Sequence, residues 1–432
     1  MNAVDQSLDT GKDAARVAPS PPVVADPGRS VNARLLGKLL RFIGNPPLEF
    51  ALLSGECVRG PGSDPVARVV FQDRRTLLGV LADPYLRFGD AYCQGRIDIQ
   101  GDLVRLLELV YESTATAPGA GTVKSRVVEW LRRPNSNTLK RSREHIHHHY
   151  DIGNEFYSLW LGETMAYTCA YYPTPEATLD AAQIAKFDHV ARKLRLKPGE
   201  TVVEAGCGWG GLALHLARRY GVKVRAFNIS KEQLAYARGR ARLEGLSDVV
   251  EFVEDDYRNI AGTYDAFVSV GMLEHVGADH YPELGRVARA CLPKTGRGLI
   301  HSIGRNYPAR LHPWIEKRIF PGAYPPALSE MMQIFEPSDL SILDIENLRL
   351  HYAQTLRHWL ELYERNVERV RAMFDEKFVR MWRLYLAGSV AGFTVGTLQL
   401  FQVVFAPRDN NDVPLTRDHL YGATAWSVDA NR

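Results

Sequence analysis

Ten residues, Val202-Val-Glu-Ala-Gly-Cys-Gly-Trp-Gly-Gly211, constrain this chain more than any other stretch. The apolar run Thr201 to Val203 reads as a buried strand, and Leu212 to Tyr220 as the helix after the turn. Glycines at such a turn let a ligand approach the backbone without Cβ interference, with the free N–H groups of the helix start facing it. Gly206, Gly208 and Gly211 also satisfy the dinucleotide pattern G-x-G-x-x-G. The turn alone leaves dinucleotide and other adenosyl ligands open.

The residues around it predict a repeating strand–helix alternation. Predicted strands at 201–203, 222–227, 250–253, 266–270 and 298–302 alternate with predicted helices that include 231–243 and 281–291. That order is the signature of a doubly wound parallel α/β sheet, whose ligands bind at the carboxyl ends of the strands. A dinucleotide site calls for a carboxylate at the end of the second strand, and here that strand runs into Asn228-Ile-Ser230. Glu204 instead stands beside the glycines, where it can support a cationic amino-acid ligand, and Asp255-Asp256-Tyr257 follows the third strand, placed to bond and cover an adenine. A sulfonium ligand fits this pattern better than a pyrophosphate, so S-adenosylmethionine is the expected cofactor.

A length of 432 residues predicts two domains. Residues 1–30, rich in Ala, Pro, Ser and Asp, read as a disordered tail. Residues 31–112 read as a small α+β domain, with a helix from Leu35 to Ile43, strands at 48–53 and 67–71, and helices at 77–83 and 103–111. Residues 113–144 form a linker, in which Lys124 to Arg143 hold seven Lys/Arg and one acidic residue. Either a solvated helix or a basic amphipathic segment meeting anionic lipid fits that composition. Residues 145–407 carry the sheet and, beyond 304, a helical aromatic pattern that serves as core or as an apolar substrate channel; 408–432 read as a polar tail. Five scattered cysteines without a C-x-x-C pair suit a reducing cytosol, and neither a transmembrane helix nor a signal peptide is expected. His145, His147, His148 and His149 are adjacent in a loop, which rarely converges on one ion, so no metal is expected. A formal charge of +3 gives no reason to expect a nucleic-acid partner.

Six ordered segments resemble the cyclopropane-fatty-acyl-phospholipid synthases and the related mycolic-acid cyclopropane synthases. They are His149-Tyr-Asp-Ile-Gly-Asn154, Tyr167-Thr-Cys-Ala-Tyr171, Gly206-Cys-Gly-Trp-Gly-Gly211, Val270-Gly-Met-Leu-Glu-His-Val-Gly277, Leu299-Ile-His-Ser-Ile-Gly304 and Ile319-Phe-Pro-Gly322. The resemblance covers residues 145–407, and more weakly Phe88-Gly-Asp-Ala-Tyr-Cys-Gln-Gly95, which is similar to the lipid-binding domain of phospholipid-acting members. It implies a Rossmann-like class I methyltransferase sheet with added helices, plus a small N-terminal α+β lipid-binding domain. The implied reaction moves a methylene from S-adenosylmethionine to a cis double bond of a phospholipid acyl chain, with bound bicarbonate as proton acceptor.

The resemblance carries over residue by residue. The implied bicarbonate set is Cys169, Glu274, His301 and Tyr352 with the backbone of Ile303. The implied cofactor set is Tyr167, Thr168, Gly206, Gly208, Asn228, Ile229, Gln233, Asp256 and Tyr257, to which the strand reading adds Glu204. Ser389 stands where many relatives carry a cysteine, so a covalent-cysteine route cannot run there. A homodimer and a cytoplasmic enzyme at the inner membrane face are implied by resemblance only. Two alternatives stay open: a methyl-branched or methylene lipid product, and a non-catalytic lipid-binding protein with an inactive methyltransferase domain.

Overall fold

The computed structural model describes residues 30–62, 64–116 and 152–421. The basic segment 124–143, the histidines at 145–149 and residues 422–432 lie outside the described residues.

The N-terminal unit starts with α1 (Val31–Phe42), where Ser30 Oγ accepts the Ala33 N–H at 3.0 Å and Leu36, Leu39 and Leu40 are buried on one face. Four strands form a sheet in the order β2-β1-β3-β4: β1 (Glu49–Leu52), β2 (Cys57–Arg59), β3 (Ala67–Phe71) and β4 (Ile97–Gly101). The sequence pattern shows only β1 and β3, because β2 is three residues long and β4 alternates only weakly. Between β3 and β4 lie α2 (Arg74–Ala82) and α3 (Pro84–Cys93), and α4 (Leu103–Thr116) follows. α3 has a legible start, with Pro84 in its first turn and Asp83 accepting the Leu86 N–H at 3.1 Å.

The second unit is a seven-stranded sheet in the order β10-β11-β9-β8-β5-β6-β7. Strands β5 (Thr201–Ala205), β6 (Lys223–Asn228), β7 (Val250–Glu254), β8 (Ala266–Val270) and β9 (Arg297–Gly304) are parallel, as the alternation predicts. Beyond residue 304 the helical expectation is incomplete: β10 (Leu340–Asn347) and β11 (Gln399–Pro407) complete the sheet, with β11 antiparallel to both neighbours. All nine residues of β11 are buried. A strand covered on both faces shows no alternation, so its apolar run does not stand out from the aromatic helices beside it. Chain order reverses between β5 and β8, which puts the ligand crevice outside the carboxyl ends of these strands.

The polar tail begins later than composition suggests. Asn410 is buried and donates to the Gly296 carbonyl at 2.9 Å, and Leu420 is buried while its carbonyl accepts from Arg192 Nε at 3.0 Å. Polar residues are spent here on closing hydrogen bonds over the sheet end. The two units are joined by Arg318, bidentate on Asp90 at 2.9 and 2.7 Å, and by Arg380, which donates to the Tyr92 and Ile97 carbonyls at 2.6 and 2.7 Å. Among the described residues no helix is long and apolar enough to cross a membrane.

Candidate active site

Two cavities open at the carboxyl edge of the sheet. The smaller, about 140 Å³, lies over the turn between β5 and the helix Gly211–Tyr220. All ten residues named above for the cofactor line it. Gly206 has φ of +85°, and a Cβ there would sit 2.9 Å from Met272 Cβ, so both backbone conformation and space demand glycine. Asn228, ending β6, donates to the Gly208 carbonyl at 3.1 Å and to Gln233 Oε1 at 2.8 Å, bracing the turn from the position where a dinucleotide fold places its carboxylate. Asp256 accepts the Arg258 N–H at 3.0 Å and so fixes the short turn that carries Tyr257.

Glu204 is buried, and burial pushes its carboxyl up to about 7 against the pull of Lys186 and a bond from the Ala213 N–H. Its Oε2 has no hydrogen-bond partner among the described residues. A buried carboxylate with an orphaned oxygen beside an open glycine turn is a ready partner for a cationic ligand. Lys186 was not singled out by sequence reasoning. It sits on the helix Leu179–Lys193, is buried, and lines the same pocket. Burial pulls its ammonium down to about 7, and it donates to Thr168 Oγ1 at 2.9 Å. A lysine at 186 looks like one more helix charge until packing shows which face is covered.

The larger cavity, about 1160 Å³, lies between the two units. This exceeds the roughly 300–1,000 Å³ of ordinary small-molecule pockets. Cys169, Glu274, His301, Ile303 and Tyr352 all line it. Its opposite wall comes from α1, α3 and α4, through residues such as Leu39, Phe88, Leu107 and Val110. The sequence of the N-terminal domain carries no acid/base group that would flag this; only docking makes it a wall. The aromatic stripe divides between both readings given above. Phe156, Trp160 and Trp382 pack as core, with Phe156 and Trp382 ring centroids 4.9 Å apart, whereas Phe320, Tyr352, Tyr385 and Phe393 face the cavity.

Tyr167, Thr168, Gly271 and His275 line both cavities and form their junction. The 165–172 segment is pinned there from two helices. Gln183 Nε2 donates to the Thr168 carbonyl at 2.9 Å, and Thr355 Oγ1 accepts the Ala170 N–H at 3.0 Å. Tyr167 and Tyr385 share a hydroxyl bond of 2.8 Å. Gly271, with φ of +75°, lets Thr168 approach so closely that a Cβ would lie 2.7 Å from its methyl carbon.

Next to the junction, Glu274 Oε1 accepts the Ile303 N–H at 2.6 Å while its Oε2 is buried without a partner among the described residues. Burial pushes this carboxyl up to about 7. The Ile303 N–H thus positions the Glu274 carboxylate at the cavity wall. Burial, reinforced by Lys186 and Lys193, holds His301 well below its ordinary value, so the ring is neutral. Gln402 Nε2 lies 3.0 Å from Nδ1, which then accepts, leaving the proton on a buried Nε2 that has no partner among the described residues. Cys169 is fully buried, its thiol raised well above the usual range by burial, and it donates to the Ala170 carbonyl at 3.1 Å; it is no nucleophile. Ser389 also lines the larger cavity.

The model of the mycolic acid cyclopropane synthetase family matches residues 137–403. The chain belongs to this family. It is an S-adenosylmethionine-dependent methyltransferase of the lipid-modifying cyclopropane synthase and fatty acid methyltransferase group. Residues 38–118 match a family described only as a domain of unknown function. A probable fatty acid methyltransferase of Pseudomonas putida is 36% identical over 375 residues, covering 83% of this chain and 93% of its own. The cyclopropane-fatty-acyl-phospholipid synthase of Escherichia coli is 37% identical over 270 residues, covering 62% of this chain and 69% of its own. A solved mycolic acid cyclopropane synthase complexed with SAH and CTAB is 26% identical, with a TM-score of 0.58, covering 64% of this chain and 99% of that one.

Proposed function

We propose that the protein adds a methylene to the cis double bond of an unsaturated phospholipid acyl chain, forming a cyclopropane ring. The observation that carries this reading is the junction: a pocket fit for a cationic adenosyl ligand meets a lipid-sized apolar cavity at four shared residues, with Glu274 and His301 beside them. When bound, S-adenosylmethionine supplies an electrophilic methyl carbon. The protein's part is alignment: the alkene is a weak nucleophile, so holding it against that carbon must supply much of the rate. In this reading the ten residues of the smaller pocket hold the donor, and Glu204 faces its positive charge.

The alkene's π electrons would form the new C–C bond to that methyl carbon as its C–S bond breaks, the bonding pair leaving on sulfur as a neutral thioether, and a carbocation would be left on the acyl chain. Loss of a proton from the added carbon lets its C–H electron pair close the ring. Tyr352, Tyr385 and Phe393 wall the cavity at this end, exclude water and offer π faces to the cation. Glu274 Oε2 and the His301 Nε2 proton are an acceptor and a donor waiting on one anion, and bicarbonate, which would supply the proton acceptor, fits them. Cys169 and Tyr352 complete the wall around that position.

A methyl-branched or methylene product is the second reading, because the Pseudomonas putida relative, whose match covers 83% of this chain, is named a probable fatty acid methyltransferase. Incubation with unsaturated phospholipid vesicles and S-adenosylmethionine, followed by mass spectrometry and proton NMR of the acyl chains, decides between them. Cyclopropane protons support ring closure, whereas the same gain of one CH₂ with olefinic or exomethylene protons replaces it by a branched or methylene product, since a saturated methyl branch needs a hydride donor that this incubation does not contain. A homodimer at the inner membrane face belongs to the same reading, and light scattering with vesicle flotation tests it.

A further inference from the structure

The charged and imidazole side chains lining the larger cavity fall into two groups. One is the set at the junction. The other lies wholly on the segment that follows β9: Arg305, Arg310, His312, Glu316 and Lys317. From Arg305 to Arg318 the chain carries four Arg/Lys and a single carboxylate, Glu316. Arg318 is committed to Asp90, and Arg310 uses one guanidinium nitrogen on Glu316 at 2.8 Å. The Arg310 Nε atom is buried and has no hydrogen-bond partner among the described residues, although the side chain, 38% exposed overall, borders the cavity. Lys317 is exposed and enters no ion pair among the described residues. Burial and the neighbouring Arg305 hold His312 down at about 4, so it contributes a neutral ring. The rest of this wall is apolar.

A buried guanidinium donor left unpaired is costly, and a multi-oxygen anion is the partner that a guanidinium fork matches best. We propose that this segment binds the phosphodiester of a glycerophospholipid head group, with Arg310 as its main contact and Arg305 and Lys317 flanking it. The inference rests on the acyl-chain reading above. It also sets a distance. Arg305 follows His301 by four residues on extended backbone, about 13 Å along the strand direction. A phosphate flanked by Arg305 would therefore put a stretch of the acyl chain beyond its ester, rather than the ester itself, against His301. Free phosphate would satisfy the cations yet leave the adjoining apolar wall uncovered; a phospholipid covers both.

The test uses the full chain with S-adenosylmethionine and non-ionic detergent micelles containing either dioleoylphosphatidylcholine or dioleoylglycerol at equal mole fraction. Both carry the same acyl chains, and neither gives the micelle a net charge, so a preference reports the phosphodiester rather than adsorption to a charged surface. Wild type is expected to show kcat/KM for the phospholipid roughly tenfold or more above that for the diacylglycerol, about 1.4 kcal/mol. Arg310→Met should bring this ratio close to one, and Lys317→Met, on an exposed side chain, should lower it by a smaller factor with the fold intact. A wild-type ratio of one, or a ratio unmoved in both variants, overturns the head-group site while leaving the acyl-chain reading standing. Calorimetric binding of inorganic phosphate without lipid, abolished in Arg310→Met, reassigns the site to free phosphate and also overturns it. Conversion of neither lipid by a chain that binds S-adenosylmethionine removes the acyl-chain reading itself, and the head-group site with it.

Discussion

The smaller cavity is built from short, contiguous loops, and the larger one from distant parts of the chain that meet only on folding. Glu204 to Gly211, Asn228 to Gln233 and Asp255 to Arg258 each supply several neighbours to the first, because strands of a parallel sheet deliver consecutive loops to one edge. The second draws on α1, α3 and α4, on the ends of β8 and β9, and on the helices Arg349–Arg365 and Glu376–Thr394. A polar ligand is held by a few fixed groups, whereas an acyl chain needs only continuous apolar wall, which many residue types provide. The first kind of site leaves a motif; the second leaves hydrophobic composition.

This contrast can be broken experimentally, and the largest effect is expected at the junction. Glu274→Gln keeps the acceptor for the Ile303 N–H but cannot share a proton with a bound anion. Turnover should fall by roughly 10²–10⁴-fold, with the S-adenosylmethionine dissociation constant unchanged by calorimetry. Equal turnover would remove Glu274 from the proton path.

Glu204→Gln should do the reverse, weakening S-adenosylmethionine binding by roughly ten- to hundredfold, the range of a charged hydrogen bond. It also tests the buried pair by pH. Burial raises Glu204 from 4.5 to about 7, so its contribution to stability is full below 4.5 and lost as pH rises through 7. Lys186, lowered from 10.5 to about 7, acts oppositely, its contribution full above 10.5 and lost as pH falls through 7. Thermal unfolding should therefore show the wild type losing stability relative to Glu204→Gln between pH 4.5 and 7. A difference in Tm that is flat over that window contradicts this electrostatic account.

Val110→Trp, on α4, narrows the larger cavity from the N-terminal side. Lipid turnover should drop by roughly tenfold, about 1.4 kcal/mol, while cofactor affinity holds; unchanged turnover would mean the acyl chain takes another path. The smallest effect is expected for Arg318→Ala, which removes an exposed ion pair with Asp90. Such pairs contribute about 1 kcal/mol or less, so the Tm shift should be small and activity retained. A large loss of activity would show that this contact sets the spacing of the two units.

The same contrast governs how much could be read in advance. The parallel strands, the glycine turn and the absence of a second-strand carboxylate are local patterns, and they point to an adenosyl sulfonium ligand. β11 escaped because it is buried on both faces and therefore has no period. Lys186 escaped because nothing in its own helix distinguishes a lysine that will be buried. The bond from the Ile303 N–H to Glu274 also escaped, because the two residues lie far apart in the chain.

The sequence by itself determined the sheet order's parallel core, the turn that demands glycine at 206, and the residue types at each strand end, since all depend on spacing along one stretch of chain. Only the tertiary structure decided that Glu274 Oε2 and His301 Nε2 are left unpartnered beside a shared wall, and that α1, α3 and α4 close a cavity against the sheet. Burial and orphaned bonds are properties of packing among segments far apart in the chain, and no local pattern encodes them.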